Sequence, residues 1–411
     1  MIDYLITLIE LEAEVLAYYS AELWTGTKAA LGVLASLSLA DRANPLTLIF
    51  EGAAGRGKST IVNMFTPIGE NSEFMYRLDA FTPKSFVTHA ANVPNEQREE
   101  IDLLPKLKDK LLVTKELAPL FRGREEALRE NFATLTAVLD GKGLRSASGV
   151  HGTRGYEGEY IFNWIGATTP IQARTDTIMA QLGNRLVRYE IVGEEESLED
   201  LIAFAEKFQP ARTEDRCREL VNRFASQFFK AHPVGSVRRE SIQTPKDSLV
   251  DIVRLAQLTA AGRVELTTSD NGDEWVKVGE PEGPHRIILL LRTLASGLAL
   301  LDEHPSVNAD VMNTIRHVAF SSIPKDRRKT LRAVLANGGK IDSLTLEGRL
   351  NVSRPTARRM LLELAATGIC EHTTGSGREG NRISLAEHWV WLLPPDAESE
   401  TQVCAEGIVE I

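Results

Sequence analysis

The chain has 411 residues, of which 43% are hydrophobic and 25% are charged, and its formal net charge is −10. This length predicts two or three domains, and the composition is typical of a globular protein whose core needs no disulfide or metal support. The apolar runs are interrupted by polar residues or stop short of the roughly 18 residues that a membrane span needs, so we expect no membrane partner.

The N-terminus and the cysteines bear on localisation. The opening segment, MIDYLITLIELEAE, has no basic region and carries acids within its apolar stretch, so we expect no signal peptide. Cys217, Cys370 and Cys404 lack metal-ligand spacing, and an odd number cannot all pair with one another. These features predict a cytoplasmic location and unreactive thiols.

The charge is distributed unevenly along the chain. Between Lys325 and Arg382 there are 12 Lys or Arg against 6 Asp or Glu, a local balance of +6. Residues 396–411 form an acidic tail with five acids and no Lys or Arg. A basic module within an acidic chain indicates one surface for a polyanion and other surfaces for protein or nucleotide.

Up to residue 195, predicted strands alternate with helices. Residues 3–40 are rich in Ala and Leu and predict two helices, which end before Asn44-Pro45. Two further helices are predicted at 84–91 and 123–139. Short apolar strands separated by helices predict a parallel sheet that is covered on both faces. The predicted strands are 46–50, 74–80, 110–114, 160–167 and 186–192.

The rest of the chain is predicted to be mainly helical. Between residues 196 and 322 one hairpin, at 264–279 with a DNG turn, interrupts the helices. From residue 325 onward the pattern predicts three helices followed by a hairpin.

A glycine-rich segment after the first strand carries the strongest motif. The sequence GAAGRGKST fits G-x-x-x-x-G-K-[ST] in full, follows a predicted strand and precedes a helical segment. In this motif backbone N–H groups surround the β-phosphate, the lysine contacts the β- and γ-phosphates, and the serine hydroxyl binds Mg²⁺. The alternative is a strand-to-helix turn that binds nothing. The candidate phosphate-binding residues are Gly52, Gly55, Gly57, Lys58, Ser59 and Thr60.

An acid is expected near the magnesium ion. The strand at 110–114 leads into Lys115-Glu116, where two acids are usual, one for the metal and one to orient water. Because Lys115 occupies the first position, Glu116 is the candidate both for metal binding and for the general base. If Glu116 serves only the metal, we expect slow hydrolysis. The alternative is a surface Lys–Glu pair after a strand.

Three further polar residues stand at positions where they can reach a terminal phosphate. Thr169 ends a predicted strand, and its hydroxyl can contact the γ-phosphate or the attacking water. Arg185, preferred over Arg188 because Arg188 lies inside a strand, can reach a neighbouring subunit's nucleotide as an arginine finger. Arg286 opens a later helix and can close over the γ-phosphate. The alternatives are a plain strand end and solvated or locally paired arginines.

Taken in chain order, these features resemble an AAA+ ATPase over roughly residues 45–322. Within that group the chain is similar to minichromosome-maintenance and superfamily 3 helicases, and to phage and mobile-element ATPases. The resemblance implies ATP and Mg²⁺ as cofactors and a homo-oligomeric, hexameric ring. Lys115 departs from the family pattern, and the N-terminal region is too short for the large DNA-collar domain of the minichromosome-maintenance proteins. The family roles of Walker B acid, sensor 1, arginine finger and sensor 2 fall on Glu116, Thr169, Arg185 and Arg286.

The same clade inserts a β-hairpin before the sensor 1 strand, pointing into the pore of the ring. Residues 144–156 match this insertion, and His151 and Arg154 are predicted at its tip. A positive tip in a pore can track the backbone of single-stranded DNA. The alternative is a surface hairpin with incidental charge.

The basic C-terminal module looks like a winged helix that binds duplex DNA. A short helix at 344–349 is followed by Ser353 as an N-cap and by a helix at 354–368. The basic residues near the start of that helix occupy positions from which a recognition helix contacts DNA. The alternative is a winged helix used only for protein packing. The candidate DNA-binding residues are Arg354, Arg358 and Arg359 in the helix, Arg378 at the tip of the hairpin 370–385, and Arg382 on its return strand.

The predicted fold class is α/β, with an AAA+ parallel-sheet nucleotide-binding core, a helical lid and a C-terminal winged helix. The favoured function is that of an ATP-hydrolysing, ring-forming DNA translocase or helicase for replication of a mobile genetic element. The alternatives are an ATP-switched DNA-binding regulator or loader that does not unwind DNA, and a defence ATPase. The predicted domains are an N-terminal helical segment at 1–44, the core at 45–195, the lid at 196–322, the winged helix at 323–395 and the tail at 396–411.

Overall fold

The computed structural model describes most of the chain in two compact units. One unit comprises Met1–Ala256 and Pro284–Ser322, and the other comprises Gln257–Gly283 and Ile323–Ile411. The predicted domain boundaries remain predictions. The structure describes residues 6–88, 97, 100–148, 152–193, 197–207, 210–268, 275–277, 281–302, 304–374 and 381–394.

Helices and strands alternate through the first half of the chain. The helices are α1 (Leu8–Leu16), α2 (Ala21–Ala35), α3 (Lys58–Met64), α4 (Leu103–Leu107), α5 (Glu125–Val138), α6 (Ala173–Leu182), α7 (Leu198–Lys207), α8 (Pro210–Ala231), α9 (Lys246–Gly262), α10 (His285–Ala299), α11 (Ala309–Ser321), α12 (Lys325–Leu335), α13 (Ser343–Leu350) and α14 (Arg354–Ala366). The strands are β1 (Thr47–Glu51), β2 (Met75–Arg77), β3 (Leu111–Thr114), β4 (Gly143–Ser148), β5 (Gly152–Glu157), β6 (Asn163–Thr168), β7 (Val187–Glu190), β8 (Leu266–Thr268), β9 (Trp275–Lys277), β10 (Lys340–Asp342), β11 (Cys370–Thr374) and β12 (Asn381–Leu385).

A five-stranded parallel sheet in the order β2-β3-β6-β1-β7 forms the centre of the first unit. Strands β1, β3 and β6 are buried along their whole length, as expected for a parallel sheet covered on both faces. In the register, Glu51 lies opposite Thr168, and Thr114 lies opposite Gly166. This architecture confirms the predicted α/β class and agrees with an AAA+-like nucleotide-binding fold.

The N-terminal helices belong to this unit. Helix α2 packs on β1, β6 and α10, and glycines allow a close approach between α2 and α10. A Cβ atom on Gly297 would lie 2.0 Å from the carbonyl oxygen of Gly32, so a larger residue at Gly297 would force the two helices apart. Asn163, at the start of β6, also donates to the carbonyl oxygen of Val33 at 2.8 Å.

Three predicted elements differ from the structure. The strand predicted at 74–80 spans only Met75–Arg77. The helix predicted at 84–91 is absent from the described part of that segment, where Pro83–Ser85 forms one 3-10 turn and Phe86 is fully buried. Residues 89–91 lie outside the described residues. The strand predicted at 160–167 begins three residues later, at Asn163, because the Tyr160 amide hydrogen-bonds to the carbonyl oxygen of Gly141 instead of joining the sheet.

The second unit contains the predicted order of helices and hairpin, together with a strand that was not predicted. The antiparallel sheet has the order β10-β12-β11, so β10 pairs with the return strand of the hairpin. Arg327, on α12, donates to Glu363 on α14 at 2.9 Å and to the Val264 carbonyl oxygen at 2.7 Å. The β8–β9 hairpin, predicted within the lid, therefore belongs to this unit, where β9 lies alongside α14.

Candidate nucleotide-binding site

The P-loop follows one strand of the sheet and the candidate acid follows another, with a single strand between them. Strand β6 lies between β1, which leads into the P-loop, and β3, which leads into Glu116. The Gly52 amide donates to the Thr168 carbonyl oxygen at 3.3 Å, and the Leu117 amide donates to the Ala167 carbonyl oxygen at 2.7 Å. These bonds bring the predicted P-loop, acid and sensor positions together at the carboxyl edge of the sheet.

Glycines shape the P-loop at positions where a side chain would not fit. Gly55 and Gly57 both have a φ of +79°, the left-handed region that other residues rarely adopt. A Cβ atom on Gly52 would lie 2.5 Å from the Ile191 carbonyl oxygen. Helix α3 begins directly after Gly57, so its free backbone N–H groups face the loop.

Lys58 is held inward, with 6% of the residue exposed, and its Nζ atom donates to the Ala53 carbonyl oxygen. Burial lowers the pKa of Lys58, and the nearby Glu116 carboxylate partly offsets this effect. Lys58 and Glu116 therefore interact electrostatically although they follow different strands. A lysine bonded only to a neutral carbonyl oxygen can transfer that bond to a phosphate.

The Glu116 side chain is exposed, and its Oε1 atom accepts a hydrogen bond from the Ala118 amide at 2.8 Å. This bond fixes one carboxylate oxygen and leaves the other directed to solvent or a ligand. Ser59 lies in the first turn of α3 and is half-buried. A hydroxyl and one carboxylate fit Mg²⁺, which keeps several waters and takes its other ligands from the substrate's phosphates. Within the described part of the chain, no group of three or more His, Cys, Asp or Glu is arranged to hold a metal on its own.

Thr169, the predicted sensor 1 residue, has an arginine partner that the sequence did not predict. The Arg122 Nη2 atom donates to the Thr169 hydroxyl oxygen at 2.8 Å. Arg122 follows β3 by eight residues and has no motif around it. Only the pairing of β3 with β6 brings the two residues together, so no local sequence signal could have identified Arg122.

A buried ionic cluster lies beneath the strand ends. Arg188, on β7, forms a salt bridge with Asp176, and its Nη1 atom lies 3.7 Å from Glu51 Oε2. Burial disfavours the charged guanidinium, but Asp176 and Glu51 outweigh this effect, so the pKa of Arg188 is above its usual value. Glu51 Oε1 accepts a hydrogen bond from the Ile171 amide at 3.1 Å. Glu51, the last residue of β1, thereby positions the loop that follows Thr169.

The arginines before β7 and at the start of α10 converge on one aspartate. Arg185 Nε and Nη2 lie 3.1 Å and 3.2 Å from the two carboxylate oxygens of Asp140, and 11% of the Arg185 side chain is exposed. Arg286 Nη2 lies 3.7 Å from Asp140 Oδ1. Asn44, just before β1, donates to the Asp140 carbonyl oxygen at 3.3 Å, which places this cluster at the amino edge of the sheet. The structure therefore brings Arg185 and Arg286 together, but away from the P-loop and Glu116.

The cations at the two edges of the sheet differ in their partners. At the amino edge, Arg42 pairs with Asp109 at 2.7 Å, as Arg185 does with Asp140. At the carboxyl edge, three cations make no salt bridge to any described carboxylate. They are Lys58, Lys115 and Arg122. Excess positive charge at this edge favours an anionic ligand.

The hairpin before β6 is present, but Arg154 is not at its tip. Arg154 lies within β5 with 13% of its side chain exposed, and its Nη2 atom donates to Asp102 at 2.6 Å. Asp102 is completely buried, and it also accepts hydrogen bonds from Tyr156 and from the amide and hydroxyl of Thr88. The predicted placement of Arg154 at the tip is corrected, because a buried carboxylate needs a cation. His151 lies outside the described residues.

In the second unit the predicted helix cap is present. The Ser353 hydroxyl accepts from the Thr356 amide at 3.4 Å, and Ala357, Met360 and Leu361 of α14 are buried. Arg354, Arg358 and Arg359 of this helix are exposed, and Arg359 lies 4.0 Å from the Asp326 carboxylate. Arg382, on β12, is also exposed and pairs in register with Asp342 of β10. Arg378 lies outside the described residues.

The two described cysteines are buried and unpaired with each other. Burial raises the pKa of Cys217 to about 11 and that of Cys370 to about 12, so both remain thiols at neutral pH. Cys404 lies outside the described residues. Across the described ranges, no helix has both the length and the apolar character required to cross a bilayer.

No protein-family model matches the chain, and no curated protein is a significant match by sequence. Solved structures that it resembles include a candidate ATPase from Cytophaga hutchinsonii, at 12% identity and a TM-score of 0.39, with 77% of this chain and 85% of that one covered. The SCCmec type IV Cch active helicase is 12% identical with a TM-score of 0.37, over 94% and 71% of the two chains. The NrS-1 C-terminal region is 10% identical with a TM-score of 0.31, over 93% and 77%. These TM-scores are too low to establish a common fold.

Proposed function

We propose that the chain is an ATPase whose catalytic centre lies at the carboxyl edge of the parallel sheet. The observation that carries this proposal is the convergence of the complete phosphate-binding motif, Glu116 and Thr169 at adjacent strand ends. The excess of cations without a salt bridge at the same edge supports it. A nucleoside triphosphate supplies the negative charge that Lys115 and Arg122 lack and that Lys58 receives in part from Glu116.

Each residue then has a distinct role. The P-loop amides surround the β-phosphate, and the Lys58 ammonium exchanges its carbonyl partner for the β- and γ-phosphates. Ser59 and Glu116 would hold Mg²⁺, which would supply neutralisation of the negative charge on the phosphates. Glu116 accepts a proton from the attacking water, and the Thr169 hydroxyl orients that water or the γ-phosphate. Glu116 must serve without the second acid, because Lys115 occupies its usual position.

The substitution Glu116→Gln tests this assignment. The amide is nearly isosteric with the carboxylate but cannot accept the proton, so we expect ATP binding to persist and turnover to fall by about 100-fold or more. Glu70→Gln, at an exposed acid in the 3-10 turn Gly69–Glu73 after α3, is the matched control. If Glu116→Gln turns ATP over at the wild-type rate, another group acts as the base.

We further propose that the ATPase drives a ring-forming DNA translocase or helicase. The hairpin β4–β5 directly precedes the sensor strand, so a change at Thr169 can be transmitted to it. The second unit has the helix and hairpin order of a winged helix, and the exposed arginines on α14 are suited to the phosphates of duplex DNA. Replication of a mobile element is the process that this combination suits.

Size-exclusion chromatography with and without nucleotide and single-stranded DNA tests ring formation. A translocase is expected to assemble with nucleotide, to show DNA-stimulated ATPase activity and to displace a strand. His151→Ala, at the predicted hairpin tip, is expected to abolish stimulation and displacement while duplex binding persists. An ATP-switched regulator or loader would show slow turnover without displacement, and a defence ATPase would affect survival under phage challenge.

A further inference from the structure

We propose that Arg122 is the residue that distinguishes a nucleoside triphosphate from a diphosphate in this site. This inference rests on the proposed ATPase function and adds a residue to it. Arg122 donates to the Thr169 hydroxyl at the end of β6, and β6 is hydrogen-bonded to the first glycine of the P-loop. Its guanidinium thus lies at the same sheet edge as the phosphate-binding loop.

The backbone that carries Arg122 is fixed although the side chain is exposed. Phe121, the preceding residue, is buried in the core, and its carbonyl oxygen accepts a hydrogen bond from the Thr175 hydroxyl at 2.9 Å. Leu117 packs closely over β6, where a Cβ atom on Gly166 would lie 2.3 Å from it. The loop from Leu117 to Arg122 is therefore anchored at both ends, and only the side chain of Arg122 is free to change partner.

The present partner of Arg122 leaves its charge uncompensated. A guanidinium has five N–H donors, and the structure shows one of them engaged, with a neutral hydroxyl. No described carboxylate forms a salt bridge with Arg122, whereas nearby Arg129 and Arg174 both bind Glu125. A phosphate group, with several acceptor oxygens, matches the planar fork of an arginine better than a hydroxyl does.

The terminal phosphate is the one that this position favours. The P-loop amides and Lys58 account for the β-phosphate, and Thr169 stands at the strand end where the γ-phosphate is expected. Lys115 and Glu116 follow β3, so this strand end offers one described carboxylate, that of Glu116, and it forms no salt bridge with Arg122. We therefore expect Arg122 to leave Thr169, or to share it, when a γ-phosphate is present.

Binding of AMP-PNP and of ADP to the full chain, measured by calorimetry with Mg²⁺, tests this proposal. Arg122→Ala is expected to weaken AMP-PNP binding about tenfold or more and to change ADP binding by less than about twofold. Arg122→Lys keeps the charge but loses the fork, so an intermediate loss is expected. Arg124→Ala, which removes an exposed arginine two residues away, is expected to change neither affinity.

The possible results separate the two proposals. If Lys58→Ala abolishes binding of both nucleotides but Arg122→Ala leaves AMP-PNP binding unchanged, the role of Arg122 is overturned and the ATPase proposal stands. Equal weakening of both nucleotides by Arg122→Ala would also overturn it, because the residue would not sense the γ-phosphate. If Lys58→Ala alters neither affinity, the proposed nucleotide site itself is wrong.

Mixing Arg122→Ala with Lys58→Ala protein should not restore turnover, and restoration would place Arg122 in a neighbouring subunit's site.

Discussion

Arg185 binds both carboxylate oxygens of Asp140, at 3.1 Å and 3.2 Å, although 45 residues separate them in sequence. The pair lies at the amino edge of the parallel sheet, whereas the P-loop lies at the carboxyl edge. Arg185 therefore lies away from the nucleotide site that we propose for its own subunit. If it contacts a nucleotide, it must release or share Asp140 and reach the P-loop of another copy.

This geometry predicts complementation between variants. Arg185→Ala is expected to lower the turnover rate of the assembled protein by about 10³-fold, the magnitude expected for loss of an arginine finger. Mixing it with Lys58→Ala should restore part of the activity, because some interfaces then pair an intact P-loop with an intact Arg185. Arg42→Ala, which removes another aspartate-paired arginine at the same edge, should leave turnover close to the wild-type rate and so give nothing for Lys58→Ala to restore. Failure to rescue in assemblies shown to be mixed would argue against a role in trans.

The hairpin arginines are expected to differ in their effects on stability. Arg154→Ala leaves the buried Asp102 carboxylate without its cation, although three hydrogen bonds to it remain, so we expect a loss of about 1–3 kcal/mol in the free energy of unfolding. Arg145→Ala removes an exposed pair with Glu157 and should cost less than about 1 kcal/mol. Urea unfolding measures both. Equal losses would show that the Arg154–Asp102 pair does not anchor the hairpin.

The second unit is expected to bind duplex DNA largely through phosphates. The double substitution Arg358→Ala and Arg359→Ala should weaken duplex binding. The affinity should also depend less steeply on salt: the magnitude of the slope of log affinity against log salt concentration should fall by about 0.9 for each phosphate that the variant no longer neutralises. Basal ATP turnover should be unaffected. Arg129→Ala, which removes one surface charge from the first unit, is the control. An unchanged salt slope in the double variant would argue against DNA binding by this face of α14.

Asp342, the N-cap of α13, should make stability depend on pH. The backbone N–H of Thr345 donates to its carboxylate at 2.8 Å, and this bond, with a smaller contribution from Arg382, lowers the pKa of Asp342. A carboxylate with a lowered pKa stabilises the fold above the usual aspartate range, near pH 4, and loses this contribution as pH falls through its folded value.

We expect Asp342→Ala to lower the free energy of unfolding of the second unit by about 1 kcal/mol at neutral pH. The difference from wild type should shrink towards about pH 3, where the wild-type carboxylate is also protonated. Asp342→Asn keeps a capping side chain and should lose less. Urea unfolding across this pH range gives the comparison. A difference that grows as pH falls would contradict the assigned direction of the pKa shift.

Local sequence patterns predicted the elements whose conformation is determined by residues close to them in the sequence. The P-loop is one, because its glycines adopt left-handed backbone conformations that other residues resist. Strand β1 is another, since a run of apolar residues followed by a turn is typical of a buried strand. The cap at Ser353 likewise depends on a residue only three positions away.

Partners distant in sequence could not be predicted in this way. Asp102 lies 52 residues from Arg154, and nothing in either neighbourhood indicates the pair. As a result, the hairpin arginine was expected at the tip although it binds a buried acid. Arg122 was missed for the same reason, since its partner Thr169 lies 47 residues away. Strand β10, of three residues, is too short to show an apolar pattern and forms because β12 is available to pair with it.

We propose above all that the carboxyl edge of the sheet hydrolyses a nucleoside triphosphate. The most direct measurement is the rate of phosphate release from Mg²⁺–ATP by the full chain, with Lys58→Ala compared against Lys110→Ala. Lys110 is a half-buried lysine before β3, at the opposite edge, where it donates to the Ser72 carbonyl oxygen. We predict turnover by the wild type and by Lys110→Ala, and a loss of about 100-fold or more in Lys58→Ala. Equal rates in all three proteins, or no hydrolysis by any of them in the presence of DNA, would contradict the proposed function.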